Sequence, residues 1–207
     1  RRCTARSATS RGARTGAVLD EGLVRLRESE QTARFGPFRE RPVASLLRGF
    51  SAPATLAQPM SLDDRLTVAR AEPDLFARWS ATDALWRDLA LAFAGAREMT
   101  APEAALKRFS ETLAASLEGA RSDPAFAAEL LKVPTEPDLV RHVDVIDPAR
   151  ITAARKRVRG AVAGALKPLL LELYDGLATN EPYDPSAVSA GRRALRNAAL
   201  SLLVEAG

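Results

Sequence analysis

Residues 147–176 read DPARITAARKRVRGAVAGALKPLLLELYDG, and this stretch decides the fold class. Asp147 before Pro148 is a helix-start pair, because the acid caps free N–H groups and proline in the first turn has no N–H to lose. Behind it Ile151, Ala154, Val158, Val162, Leu166, Leu169 and Leu173 recur at three- and four-residue steps, an apolar stripe on one side of a long helix. Pro168 is expected to kink or divide this helix, and Gly176 to stop it. A one-sided helix of this length needs partners, and the same start device recurs around it. Glu72-Pro73, Asp123-Pro124, Glu136-Pro137 and Asp184-Pro185 all fit. Thr100 with Glu103, and Thr135 with Asp138, have capping-box spacing. Helices are therefore expected to begin near residues 61, 73, 101, 123, 135, 147 and 184. Their apolar rows include Leu75, Trp79, Trp86, Leu89 and Phe93, and Leu106, Phe109, Leu113 and Leu117. The last row still carries Leu202, Leu203 and Val204 at the chain's end, which suggests a missing packing partner. Spacings are too irregular for a fixed-period repeat.

Upstream the pattern changes. Val24 and Leu26 alternate with Arg25 and Arg27, and Thr32 to Phe35 precede Gly36-Pro37, which reads as two short strands. Two strands are not stable alone, so they imply a larger sheet or docking on the helices. The expected fold class is mainly α: a helical array, right-handed and superhelix-like, preceded by a β-strand remnant of a β-sandwich. The expected organisation is a disordered Arg-rich tail at 1–16, a strand segment and linker at 17–53, and an incomplete helical domain at 54–207.

Composition excludes several functions. The 207 residues contain one cysteine, Cys3, and one histidine, His142. No disulfide can form within the chain, and no thiolate-rich or multi-histidine metal site can be assembled. The single cysteine suits a reducing, cytoplasmic setting. The net charge is +4, yet residues 1–16 alone carry +5 from Arg1, Arg2, Arg6, Arg11 and Arg14, so the body stands at −1. A basic tail is a weak reason to invoke nucleic acid. The most apolar stretch, 161–174, is interrupted by Lys167 and Pro168, so no membrane partner is expected either.

Certain residue groups merit a functional reading beside a structural one. Arg150, Arg155, Lys156, Arg157 and Arg159 carry enough charge for phosphates, but 100° per residue spreads the five around a helix, which favours solvated surface. Arg192, Arg193 and Arg196 read the same way. Trp79 and Trp86 lie seven apart and read as core. His142 follows a short helix, where a cation would meet the helix dipole, and with no second histidine it is a poor ligand. Asp144 and Asp147 resemble paired carboxylates, but the capping role accounts for Asp147. Gly160 and Gly164 permit close packing of a neighbouring helix. No catalytic, substrate-binding or metal-binding residue is nominated.

Several segments, in order, carry a resemblance. Glu28-Ser29-Glu30-Gln31-Thr32 with Phe35, VASLLRGFSAP at 43–53, DLFARW at 74–79, DPAF at 123–126, DVIDP at 144–148 and RRALRNA at 192–198 are similar in sequence and spacing to the aminopeptidase N-type zinc metallopeptidases. The resemblance covers residues 17–207 and implies the end of that family's β-sandwich and the first part of its C-terminal helical domain. The family's H-E-x-x-H zinc site and G-A-M-E-N motif are both absent from these residues. The resemblance thus implies a non-catalytic fragment of a bacterial enzyme that uses zinc to remove N-terminal residues from peptides. Its partners would be the missing catalytic and helical parts, and its role to cap the cleft and limit access. A free-standing helical protein-interaction module is the alternative.

Overall fold

In a computed structural model, the structure describes residues 38, 39, 41–50 and 58–206. The expected strands at 24–35 lie outside them. Among the described residues seven α-helices follow a 3₁₀ turn at Arg48–Phe50: α1 (Leu62–Ala71), α2 (Leu75–Phe93), α3 (Pro102–Ser116), α4 (Pro124–Leu130), α5 (Glu136–Val140), α6 (Pro148–Gly176) and α7 (Ala187–Leu203). The described part of the linker, 43–50, forms no strand.

Most starts follow the expected chemistry. Asp123, Thr135 and Asp147 cap α4, α5 and α6, and Thr135 with Asp138 closes a reciprocal capping box. Three starts differ. Glu72 ends α1, and its carboxylate accepts from the N–H of Asp74, which is itself the cap of α2. The Thr100–Glu103 box does not form, because Ala101 takes the N-cap position at φ 51° and supplies no side-chain acceptor. Ser186 rather than Asp184 caps α7, while Asp184 reaches over the Ser186 and Ser189 hydroxyls. Pro168 does not divide α6, which runs unbroken over 29 residues. Gly176 is the last helical residue of α6 rather than the turn beyond it, and the cap is Leu177 at φ −102°.

α6 is the spine. It packs against α2, α3, α5 and α7, while α1 lies across α2 and α3, and α4 across α7. The apolar rows meet in one main core that includes Leu85, Trp86, Leu89, Phe109, Leu113, Val158, Val162 and Leu195. Trp86 anchors it: its ring meets Phe109 edge-on at 4.9 Å, and its indole N–H donates to the Leu130 carbonyl at 3.1 Å, closing the end of α4. Leu170 rather than Leu169 completes the α6 stripe, and Leu75 is exposed instead of buried. A smaller cluster of Ala90, Leu91, Ala94, Leu139, Ile151 and Ala154 seats α5.

Candidate functional site

The most deeply buried charge in the described residues is Asp88 on α2, with a side chain only 8% exposed. Burial demands compensation, and three arginines provide it. Arg65 from α1 pairs with one oxygen, Arg97 from the α2–α3 loop with the other at 2.6 Å, and Arg87 lies 3.9 Å away. The cluster joins two helices and a loop electrostatically. Each carboxylate oxygen of Asp88 accepts from an arginine, so its charge is compensated within the cluster. Beside it Asp83 is partly buried, which pushes its carboxyl upward against the opposing pull of Arg87 at 2.9 Å. His142 follows the end of α5 and its imidazole is held below the usual range, first by partial loss of hydration, then by Arg87 and Arg97. Loss of hydration, and after it the two guanidinium groups, thus disfavours the His142 cation expected at this helix end.

The cations of α6 do not act as one patch. Arg150 pairs with Asp147 at 3.4 Å, and Arg157 with Glu103 at 3.1 Å while lying over the Phe93 ring at 4.2 Å. Arg155, Lys156 and Arg159, however, share one cleft of about 470 Å³ between the ends of α5 and α7, with Val204 on its rim. Of the α7 arginines, Arg193 covers Tyr183 and Arg196 covers Tyr174, at 4.7 and 4.2 Å. Asp147 is occupied as a cap, and Asp144 is exposed beside it. Gly160 and Gly164 lie on α6; a Cβ at Gly164 would meet nothing within 4 Å, so this glycine admits no close neighbour among the described residues. A second groove, of about 450 Å³, runs between α3 and α6 over Leu106, Ala114, Ala161, Ala165 and Leu166.

No constellation of nucleophile, base and orienting group emerges from these contacts. Among the described residues no group of three His, Cys, Asp or Glu side chains is placed to hold a metal ion. No described helix is long and apolar enough to cross a membrane.

An irregular stack of capped helices around one long spine is the kind of architecture that helical-repeat domains have. Residues 62–207 match the family described as "Domain of unknown function (DUF3458_C) ARM repeats", and residues 8–59 match "Domain of unknown function (DUF3458) Ig-like fold". The chain is 40% identical over 190 residues to aminopeptidase N of Caulobacter vibrioides, and 30% identical over 182 residues to that of Escherichia coli K12. These alignments take in 91% and 87% of this chain but 22% and 21% of the relatives, so it spans about a fifth of their length. Its fold also matches part of Legionella pneumophila aminopeptidase A, solved in complex with aspartic acid, with a TM-score of 0.66 and 24% identity over 81% of this chain and 20% of that one. The chain belongs to the aminopeptidase N-type family, with residues 62–207 in its C-terminal helical region.

Proposed function

We propose that this chain serves as a non-catalytic helical segment of a bacterial, cytoplasmic, zinc-dependent aminopeptidase that hydrolyses N-terminal residues from peptides. The helical unit begins at about residue 54, and its work is to wall the catalytic cleft and limit which peptides enter. One observation carries the reading: 40% identity extends over 91% of the chain yet takes in only 22% of the aminopeptidase N it matches. The architecture supports a mechanical role, since the Asp88 cluster and the Trp86 anchor hold α1, α2 and α4 in fixed relation.

The described residues do not fit a catalytic zinc. They contain a single histidine, and no three ligating side chains converge. The full sequence has no H-E-x-x-H. On this reading the zinc ligands and the water-activating base come from other residues of the longer enzyme.

Sequencing the genomic DNA around the coding segment tests the reading directly. An upstream in-frame H-E-x-x-H is expected. A start codon immediately before the codon for Arg1 and a stop after Gly207, with no such motif nearby, would sink it in favour of a free-standing interaction module. The access role has its own test in the longer enzyme. Trp86→Phe or Asp88→Asn, which loosen the helical stack, should raise kcat/KM for long peptides relative to a dipeptide. An unchanged ratio removes the access role.

A further inference from the structure

The cleft at the ends of α5 and α7 is lined by Glu136, Thr152, Arg155, Lys156, Arg159 and Glu205. Positions 152, 155, 156 and 159 follow i, i+3, i+4, i+7 spacing, so α6 presents them on one face. Two of the cations are tied back. Arg159 donates to the Ser201 carbonyl at 2.5 Å and hydroxyl at 2.7 Å, and faces Glu205 at 3.4 Å. Arg155 donates through Nε to the Pro134 carbonyl at 2.7 Å. That single bond orients the guanidinium while its two terminal amino groups make no hydrogen bond or ion pair among the described residues. Lys156, next to it, likewise has no carboxylate partner among them. Thr152 is already engaged, donating to Glu136 at 3.0 Å. By contrast, Arg150 and Arg157, elsewhere on the same helix, each have an acid within 3.4 Å.

We propose that this cleft binds a small oxyanion of the phosphate or carboxylate class, gripped by Arg155 and Lys156 with Arg159 behind them. An oriented guanidinium offers two parallel N–H donors to two oxygens, and an adjacent ammonium supplies a mobile third contact. Concave walls concentrate the field of such a group. The two carboxylates limit what fits: three cations against Glu136 and Glu205 leave one net positive charge, enough for a single small anion. The cationic face also ends there, because Val162 and Ala163, next along it, are buried, so the repeated phosphates of a nucleic acid find no continuing row.

The test is a two-dimensional amide NMR titration of the whole chain with sodium phosphate, then separately with sodium acetate, at ionic strength held constant with chloride. Saturable shifts confined to residues 152–159 and 201–205 are expected, and the tighter of the two salts identifies the anion class. R155Q/K156Q should weaken binding at least about tenfold. Lys107→Gln, on α3 in the other groove, should leave it unchanged. The single variant Lys156→Gln, whose side chain is exposed, serves if the double variant does not fold. Shifts that follow ionic strength alone, or that persist undiminished in the charge-removed variants, overturn the proposal.

Discussion

Asp88 and Asp63 are both aspartates paired with arginine, and burial separates their consequences. Asp63 is 73% exposed and meets Arg108 at 2.6 Å, so water already satisfies most of its charge. Asp88 is enclosed, and its neutralisation leaves the largely covered Arg65 without its counter-charge, while the more exposed Arg97 can turn to water. Asp88→Asn should cost about 3 kcal/mol, whereas Asp63→Asn should stay within about 0.5 kcal/mol. Urea denaturation of the two variants at one pH compares them directly, and equal midpoints would dismiss the buried cluster as a stabilising feature. Backbone strain makes a second residue-scale prediction. Ala101 sits at φ 51°, ψ 64°, left-handed geometry that an L-residue adopts only at a cost. Ala101→Gly relieves that cost but frees the unfolded chain, so a net gain of about 0.5 kcal/mol is expected. A loss of stability would mean that the alanine methyl contributes packing that outweighs the strain.

At the level of elements, helix ends were the most legible feature of the sequence, and their errors have a shared cause. Acid–proline pairs mark a start, but two polar residues within a few positions compete for the cap, and the neighbouring helix decides between them. Asp74 wins over Glu72 because Glu72 is drawn to Arg48 at 2.9 Å and to the Asp74 N–H. Ser186 wins over Asp184 because Asp184 becomes the acceptor for two hydroxyls. Those hydroxyls, with the Ser186 N–H, hold the Asp184 carboxyl at about 2, well below the ordinary range. A carboxyl depressed in the folded state contributes stability that is fully present above its unfolded value near 4 and is lost as pH falls through about 2. The start of α7 should therefore fray between about pH 4 and 2, before the end of α4 held by the pH-insensitive Trp86 bond. Carboxyl NMR should give an Asp184 midpoint near 2. Ser189→Ala should move that midpoint upward, and an unmoved midpoint would show that the Ser189 contact contributes nothing. The candidate cleft was far less legible. Periodicity alone spread the five α6 cations around the helix. The spacing of 155, 156 and 159 does group three of them on one face, but that this face meets a cavity depends on the tertiary positions of Pro134, Ser201 and Glu205, which no local pattern encodes.

For the molecule as a whole, the two apolar clusters set which parts must move together. The main core ties α1, α2, α3, α4, α6 and α7 through residues that are nearly all fully buried. The smaller cluster holds α5 through one fully buried side chain, Leu139, with Val140 and Val143 only partly covered. A five-residue helix has too few internal hydrogen bonds to persist alone, so its order depends on that contact. Local opening follows the weakest attachment, and α5 should exchange its amide hydrogens well before the α2–α6 core does. Leu139→Ala removes the anchor and should cost about 2–4 kcal/mol if α5 and the core unfold as one unit. If α5 is a separate unit, as its placement on a second, smaller cluster predicts, the variant should lose protection only in residues 135–147 and leave the amides of 82–90 and 154–170 nearly as slow as before. Hydrogen exchange read by mass spectrometry distinguishes the outcomes. A uniform loss across both regions would mean that the small cluster is continuous with the main core and that the helical stack opens only as a single body.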